Sequence, residues 1–280
     1  MISSLAGDII GVPFESNNIK EEEYTGSLFT KKSTYSDDSV LSVATADTLL
    51  SSGKYSDNYL EYAISYPNRG YGGNFLKMIR SGKLTPYNSY GNGSAMRAGP
   101  TGWVHSTLEE TLEEAKRSAE CSHNHPQGVK GAQAVAAAIF TARKGGDGMA
   151  VMKAVQKLGY DLSYKTSELR RRTFHVDCEA TIPICMAVFN ETESFEDAMR
   201  LGIAMGGDVD TNCCIVGSIC DAFYGLPSPE IIEEVYNRIP SQMAKVVTAF
   251  VHEYIDEKLT LPKGTGDEGT LEEKLKRVFL

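Results

Sequence analysis

The chain has 280 residues, of which 41% are hydrophobic, enough to bury a large core as one big domain or two modest ones. With 28 basic against 37 acidic residues the formal net charge is -9, which argues against a nucleic-acid footprint and leaves any phosphate-bearing ligand dependent on metals or helix N-termini. The N-terminal segment has no basic leader and is interrupted by Asp8, no uninterrupted apolar stretch reaches the roughly 18 residues that span a bilayer, and the six cysteines show neither CxxC pairs nor regular disulfide spacing. A cytoplasmic protein with reduced core thiols and no membrane partner is expected.

Taken in chain order, hydrophobic spacing is helical almost wherever it can be read. Val40, Leu41, Ala44, Leu49 and Leu50 fit one face of a helix over residues 38–51, with Ser36 as its cap, acids in its first turn and Gly53 as its stop. Short patterns with polar outer faces follow at residues 108–119 and 149–157. Between them, residues 128–143 are alanine-rich and small-sided, as suits a central helix closely packed by neighbours. Residues 178–190 and 215–224 read the same way, and further amphipathic patterns occupy 195–204, 230–237 and 243–258. No run of alternating strand character and no internal repeat is present. Glycine clusters at residues 70–73, 91–93, 145–146 and 206–207 punctuate the pattern without a long linker. The expectation is an all-α, compact single-domain helical bundle over residues 1–262, with residues 263–280 a C-terminal tail or short docked helix.

Two acidic clusters carry the chemistry. Ser36-Asp37-Asp38-Ser39 opens one apolar segment and Gly206-Gly207-Asp208-Val209-Asp210-Thr211 opens another. Each alone is a good helix beginning, satisfying free N–H groups and the macrodipole. Together they place two pairs of carboxylates beside hydroxyls and next to strongly apolar helices, where the charges repel unless cations neutralise them. Ser36, Asp37, Asp38, Asp208, Asp210 and Thr211 form an all-oxygen candidate set, suited to Mg²⁺, Mn²⁺ or Ca²⁺ rather than zinc, with two divalent cations, Mg²⁺ or Mn²⁺, expected for catalysis.

Five blocks in order, Gly7-Asp8-Ile9-Ile10-Gly11-Val12-Pro13-Phe14-Glu15, Ser36-Asp37-Asp38-Ser39, Gly91-Asn92-Gly93-Ser94-Ala95-Met96-Arg97, Ser122-His123, and Gly206 through Thr211 with Tyr224-Gly225 behind them, resemble the ADP-ribosylglycohydrolases. Within that family the chain looks most similar to the bacterial branch that includes the dinitrogenase reductase-activating glycohydrolase. The resemblance implies a helical domain with a two-metal cleft that hydrolyses the bond joining C1 of ADP-ribose to a side chain. Carried over by position, Ser36, Asp37, Asp38 and Asp210 hold one ion, Asp37, Asp208, Asp210 and Thr211 share or hold the other, and Asp37 and Asp210 are central. Ser36 and Ser39 stand where the family more often has threonine, and a hydroxyl is kept at both.

The same resemblance gives the remaining roles. Glu15, after the turn Gly11-Val12-Pro13, matches a glutamate that closes over the metals and serves as general acid or base, which together with Asp37 and Asp38 makes up the expected catalytic set. Asp8 reads as structural, bonding its adjacent turn. Tyr71, Gly72, Gly73 and Asn74, and Ser89, Tyr90, Gly91, Asn92, Gly93, Ser94 and Met96, form glycine-rich loops whose backbone N–H groups suit a diphosphate and ribose. His123 is placed on the ribose and adenine side, His125 is unassigned, Tyr71 and Phe75 suit adenine stacking or the core, and Arg97 suits a phosphate or a buried acid. The expected activity is removal of ADP-ribose from a modified protein side chain, arginine favoured, by a monomer that needs no nucleic acid. Hydrolysis of serine-linked or small-molecule conjugates, two-metal phosphoester cleavage and silent ADP-ribose binding are the alternatives.

Overall fold

A computed structural model of the chain describes residues 1–15, 19, 23–170 and 174–265. Among them are α1 (Ile2–Gly11), α2 (Asp37–Ser51), α3 (Tyr55–Ser65), α4 (Gly73–Arg80), α5 (Gly93–Met96), α6 (Leu108–Glu120), α7 (Pro126–Arg143) and α8 (Gly148–Gln156). The series continues with α9 (Thr166–Leu169), α10 (Cys178–Asn190), α11 (Phe195–Met205), α12 (Val209–Phe223), α13 (Pro229–Tyr236) and α14 (Ser241–Tyr254). The described residues contain no strand, only isolated bridges such as Gly91 to Asp177. The all-α expectation therefore holds, and no described helix is long and apolar enough to cross a membrane.

Local chemistry explains where the helices differ from the expected spans. Ser36 caps α2 by accepting the Asp38 N–H at 3.1 Å, but the helix ends in a left-handed residue at Ser52 (φ 55°) before Gly53 is reached. Pro126 at the first turn, with the His125 ring accepting the Gln127 N–H at 3.2 Å, starts α7 earlier than its alanine run. The Asp208 turn is continuous with the apolar helix behind it, so α12 begins at Val209 and puts Asp210 and Thr211 in its first turn. Helix α1 was missed by periodicity because every one of its residues is buried and it has no solvent-exposed face.

The most extensive packing in the molecule joins α1 to α12, with α7, α10, α11 and α2 ranged around the pair. Glycine permits that approach. A Cβ at Gly7 would lie 2.1 Å from the Cys213 carbonyl oxygen, and one at Gly217 would lie 2.0 Å from that of Ser3, both far inside van der Waals contact. The crossing brings the Asp8 end of α1 against the first turn of α12. Five cysteines are buried and Cys121 is half-buried, all of them free thiols. At the C-terminal end, Thr265 accepts from the Ser241 N–H at 2.6 Å and donates to the Ile239 carbonyl at 3.0 Å; of the tail or docked helix expected over residues 263–280, residues 266–280 lie outside the described residues.

Candidate metal centre and ligand cleft

Three helix ends deliver carboxylates to one place. Asp8 of α1, Asp38 of α2 and Asp210 of α12 offer oxygens all within 4.8 Å of one another, and Glu15, Asp208 and Asp210 form a second such group, so Asp210 belongs to both. Asp8 reaches across to the other cluster rather than to its own turn. It accepts from the Ser36 N–H at 2.9 Å, the Ser36 hydroxyl at 2.6 Å, the Ser39 N–H at 3.1 Å and the Ser39 hydroxyl. Thr211 donates its hydroxyl to Asp38 at 3.3 Å, and Asn92 donates from Nδ2 to Asp208 at 2.6 Å and to Thr181 at 3.2 Å. Asp37 is in neither group; its N–H donates to the Arg69 carbonyl at 2.7 Å and its Oδ1 faces Gly70.

These carboxyls are out of place as bare anions. Burial raises the pKa of Asp8, Asp208 and Glu15, burial with the Asp210 charge pushes Asp38 well above its ordinary range, and burial with the Asp208 charge does the same to Asp210. Burial and the Asp8 charge push Asp37 up to about 8. An ionised pair within 4.8 Å repels by at least ~3 kcal/mol at an effective dielectric constant of about 20. Asp38 Oδ1 is also buried without any hydrogen-bond partner. An orphaned carboxylate oxygen among mutually repelling acids, with hydroxyls close by and no nitrogen or sulfur donor, fits hard divalent cations.

The centre forms the floor of a cleft of about 540 Å³. Ser36, Asp37, Asp38, Asp208, Asp210, Thr211 and Glu15 line it, as do Gly72, Gly73, Asn74, Ser89, Gly91, Asn92, Gly93, Met96 and His123. Three expected contacts are placed elsewhere. Tyr71 is buried behind the wall with its hydroxyl donating to the Tyr66 carbonyl at 2.8 Å, Ser94 donates to the Gly128 carbonyl at 2.7 Å, and Tyr90 is exposed and packs edge-on to His125 at 5.4 Å. In the second glycine-rich loop the Asn92 N–H is taken by the Val176 carbonyl at 2.8 Å and the Gly91 N–H by Ser89 Oγ at 3.2 Å. Helix α4, whose first turn begins at Gly73 and has no side-chain cap, also presents its N-terminus at the cleft.

Sequence reasoning missed three participants. Asp8 had one signal, an ionisable residue inside an otherwise apolar segment. Thr181 had none, since its role depends on α10 lying beside Asn92. Arg69 lines the cleft with its guanidinium 3.7 Å from the centre of the Tyr35 ring and donating to the Tyr35 hydroxyl at 2.6 Å. An arginine just ahead of a glycine cluster was its only trace.

An all-helical domain with a shared carboxylate group under a glycine-walled cleft belongs to the class of helical proteins whose site could hold divalent cations through oxygen ligands. Comparison with known proteins narrows it: the ADP-ribosylglycohydrolase family profile matches residues 1–259, and the chain belongs to that family. It is 22% identical to the mouse ADP-ribosylhydrolase ARH3 over 81% of this chain and 83% of that protein. The human ADP-ribosylhydrolase ARH3 is 23% identical over 72% of this chain and 74% of its own length. A solved structure described as an ADP-ribosylglycohydrolase-related protein complex shares the fold, with a TM-score of 0.67 at 18% identity over 89% of this chain and 95% of that one. The protein is accordingly an ADP-ribosylglycohydrolase, an enzyme that hydrolyses ADP-ribose linkages.

Proposed function

We propose that this enzyme removes ADP-ribose from a modified protein side chain, arginine favoured, by hydrolysis at C1 of the ribose. The observation that carries the reading is the pair of oxygen groups sharing Asp210 at the floor of the cleft. Asp8, Asp38 and Asp210 would hold one divalent cation and Glu15, Asp208 and Asp210 the other, with Thr211 and Ser36 as neighbouring hydroxyls. Mg²⁺ or Mn²⁺ at these positions would supply Lewis-acid polarisation and a template for the sugar hydroxyls.

The chain's own groups do the rest. Glu15 stands exposed at the edge of the centre, where burial and the Asp208 charge raise its pKa, and from there it carries a proton to or from the reacting bond. Asn92 aims Asp208 by its 2.6 Å bond, and the α4 N-terminus receives the diphosphate.

The test is to incubate the purified protein with arginine-linked and serine-linked ADP-ribosyl peptides, with and without chelator, while measuring free ADP-ribose and inorganic phosphate. Chelator-sensitive release of ADP-ribose from the arginine-linked peptide is expected. Faster release from the serine-linked peptide would overturn the arginine preference, and phosphate without ADP-ribose would move the centre to phosphoester chemistry.

A further inference from the structure

Arg97 is among the largest side chains sealed inside the molecule, with 0% of its surface exposed. No carboxylate among the described residues lies within ion-pair distance of it. Its guanidinium carbon sits 4.2 Å from the centre of the Tyr59 ring, Nη2 donates to the Ser118 carbonyl at 3.2 Å and to Ser122 Oγ at 2.7 Å, and Nε and Nη1 have no hydrogen-bond partner. A buried cation so sparsely partnered is costly, and its best bond is the one to Ser122.

That bond has a consequence one residue further on. Ser122 Oγ lies 2.8 Å from Nδ1 of His123. A guanidinium only donates, so Ser122 Oγ accepts from Arg97, and the adjoining positive charge strengthens the hydroxyl as a donor in its turn. Nδ1 is an acceptor within reach of that hydroxyl, and accepting there requires the ring proton to sit on Nε2. Nε2 faces the turn that walls the cleft: a Cβ at Gly93 would lie 3.2 Å from it and one at Gly91 3.6 Å. Burial, assisted by Arg97, holds the His123 pKa well below its ordinary value, so the ring is neutral at neutral pH.

We infer that Arg97 and Ser122 are positioning residues that fix His123 as the Nε2–H tautomer, making it a one-way hydrogen-bond donor to a sugar or phosphate oxygen seated at the Gly91 to Gly93 turn. The opposite tautomer would present a lone pair there and select for a donor group instead. The ligand named rests on the ADP-ribose reading above; the tautomer is a property of the folded chain alone.

The two are separated by experiment. Long-range ¹⁵N–¹H correlation spectra of histidine-labelled protein, recorded without ligand, are expected to show His123 with an unprotonated Nδ1 and a protonated Nε2. In Ser122→Ala, which removes only one oxygen from a buried site, the Nδ1–H form should appear and affinity for free ADP-ribose should fall roughly tenfold, the worth of one well-formed hydrogen bond. Ser122→Thr, which keeps the hydroxyl, should restore the parent spectrum. A parent His123 already protonated at Nδ1, or a Ser122→Ala protein with unchanged tautomer, overturns the relay whatever binds in the cleft. A parent protein with the expected tautomer but no affinity for ADP-ribose sustains the relay and sinks the functional reading.

Discussion

Asp8 shows how much one side chain decides. It is a fully buried acid that accepts four hydrogen bonds from Ser36 and Ser39 while its carboxylate stands in the same group as Asp38 and Asp210, so it both shapes the first acidic turn and joins the centre. Asp8→Asn keeps the shape but turns an NH₂ donor toward donors. Cation affinity, measured by titration calorimetry with Mg²⁺ or Mn²⁺, should drop by at least about 10–100-fold, the cost of disturbing even the partners that orient a ligand, because Asp8 is itself a ligand in the proposed centre. Unchanged affinity would remove Asp8 from the centre. Glu15→Gln, assayed at saturating cation because Glu15 is also a ligand in the proposed centre, separates proton transfer from substrate binding. The kcat should fall by about 10²–10⁴ with little change in KM. A loss confined to KM would make Glu15 a binding residue only.

At the scale of elements, the α1 to α12 crossing is the device that assembles the centre, and it depends on glycine. Gly217→Ala would place a methyl group 2.0 Å from the Ser3 carbonyl oxygen, well away from the carboxylates, and the helices must separate to admit it. A loss of about 1–3 kcal/mol in urea unfolding, or more, is expected. Because α1 carries Asp8 and α12 carries Asp210, weaker cation binding should accompany that loss even though no ligand was changed. A destabilised protein with parental cation affinity would show that the crossing supports the fold alone. The same pair of helices marks what the sequence made legible. The amphipathic helices and the two acidic first turns were readable because periodicity and capping are local signals. Helix α1 was not, since total burial erases periodicity, and neither was the grouping of Asp8 with α12, since helix crossing is a long-range outcome; Glu15 was placed over the metals by the resemblance and not by any local signal. Tyr71 and Tyr90, expected at the ligand, show the same limit: side-chain direction depends on tertiary packing, and one turns into the core while the other is exposed beside His125.

For the whole molecule, the acidic centre sets stability against pH. Asp8, Asp38, Asp208 and Asp210 all have raised pKa values through burial, and Asp37 is pushed up to about 8. In the metal-free protein these groups keep protons when folded that they lose when unfolded, at an ordinary carboxylate pKa near ~4. Between about pH 4 and 8 the native state therefore binds more protons than the unfolded chain, so metal-free stability is greatest at the acidic end of that window and is lost as pH rises through it. Cations reverse the trend. They occupy the site only as the protons leave, so their affinity climbs with pH as metal-free stability declines. Melting curves of chelated protein should show Tm falling from about pH 5 to about pH 8, while saturating Mg²⁺ or Mn²⁺ flattens the profile. At cation concentrations near 100 times Kd the gain is about 2.7 kcal/mol, or on the order of 5 °C for a chain of this size. A chelated protein whose Tm rises across the same interval, or one indifferent to either cation, would mean that the carboxyls are held by protein partners alone and that the centre is not built for metal.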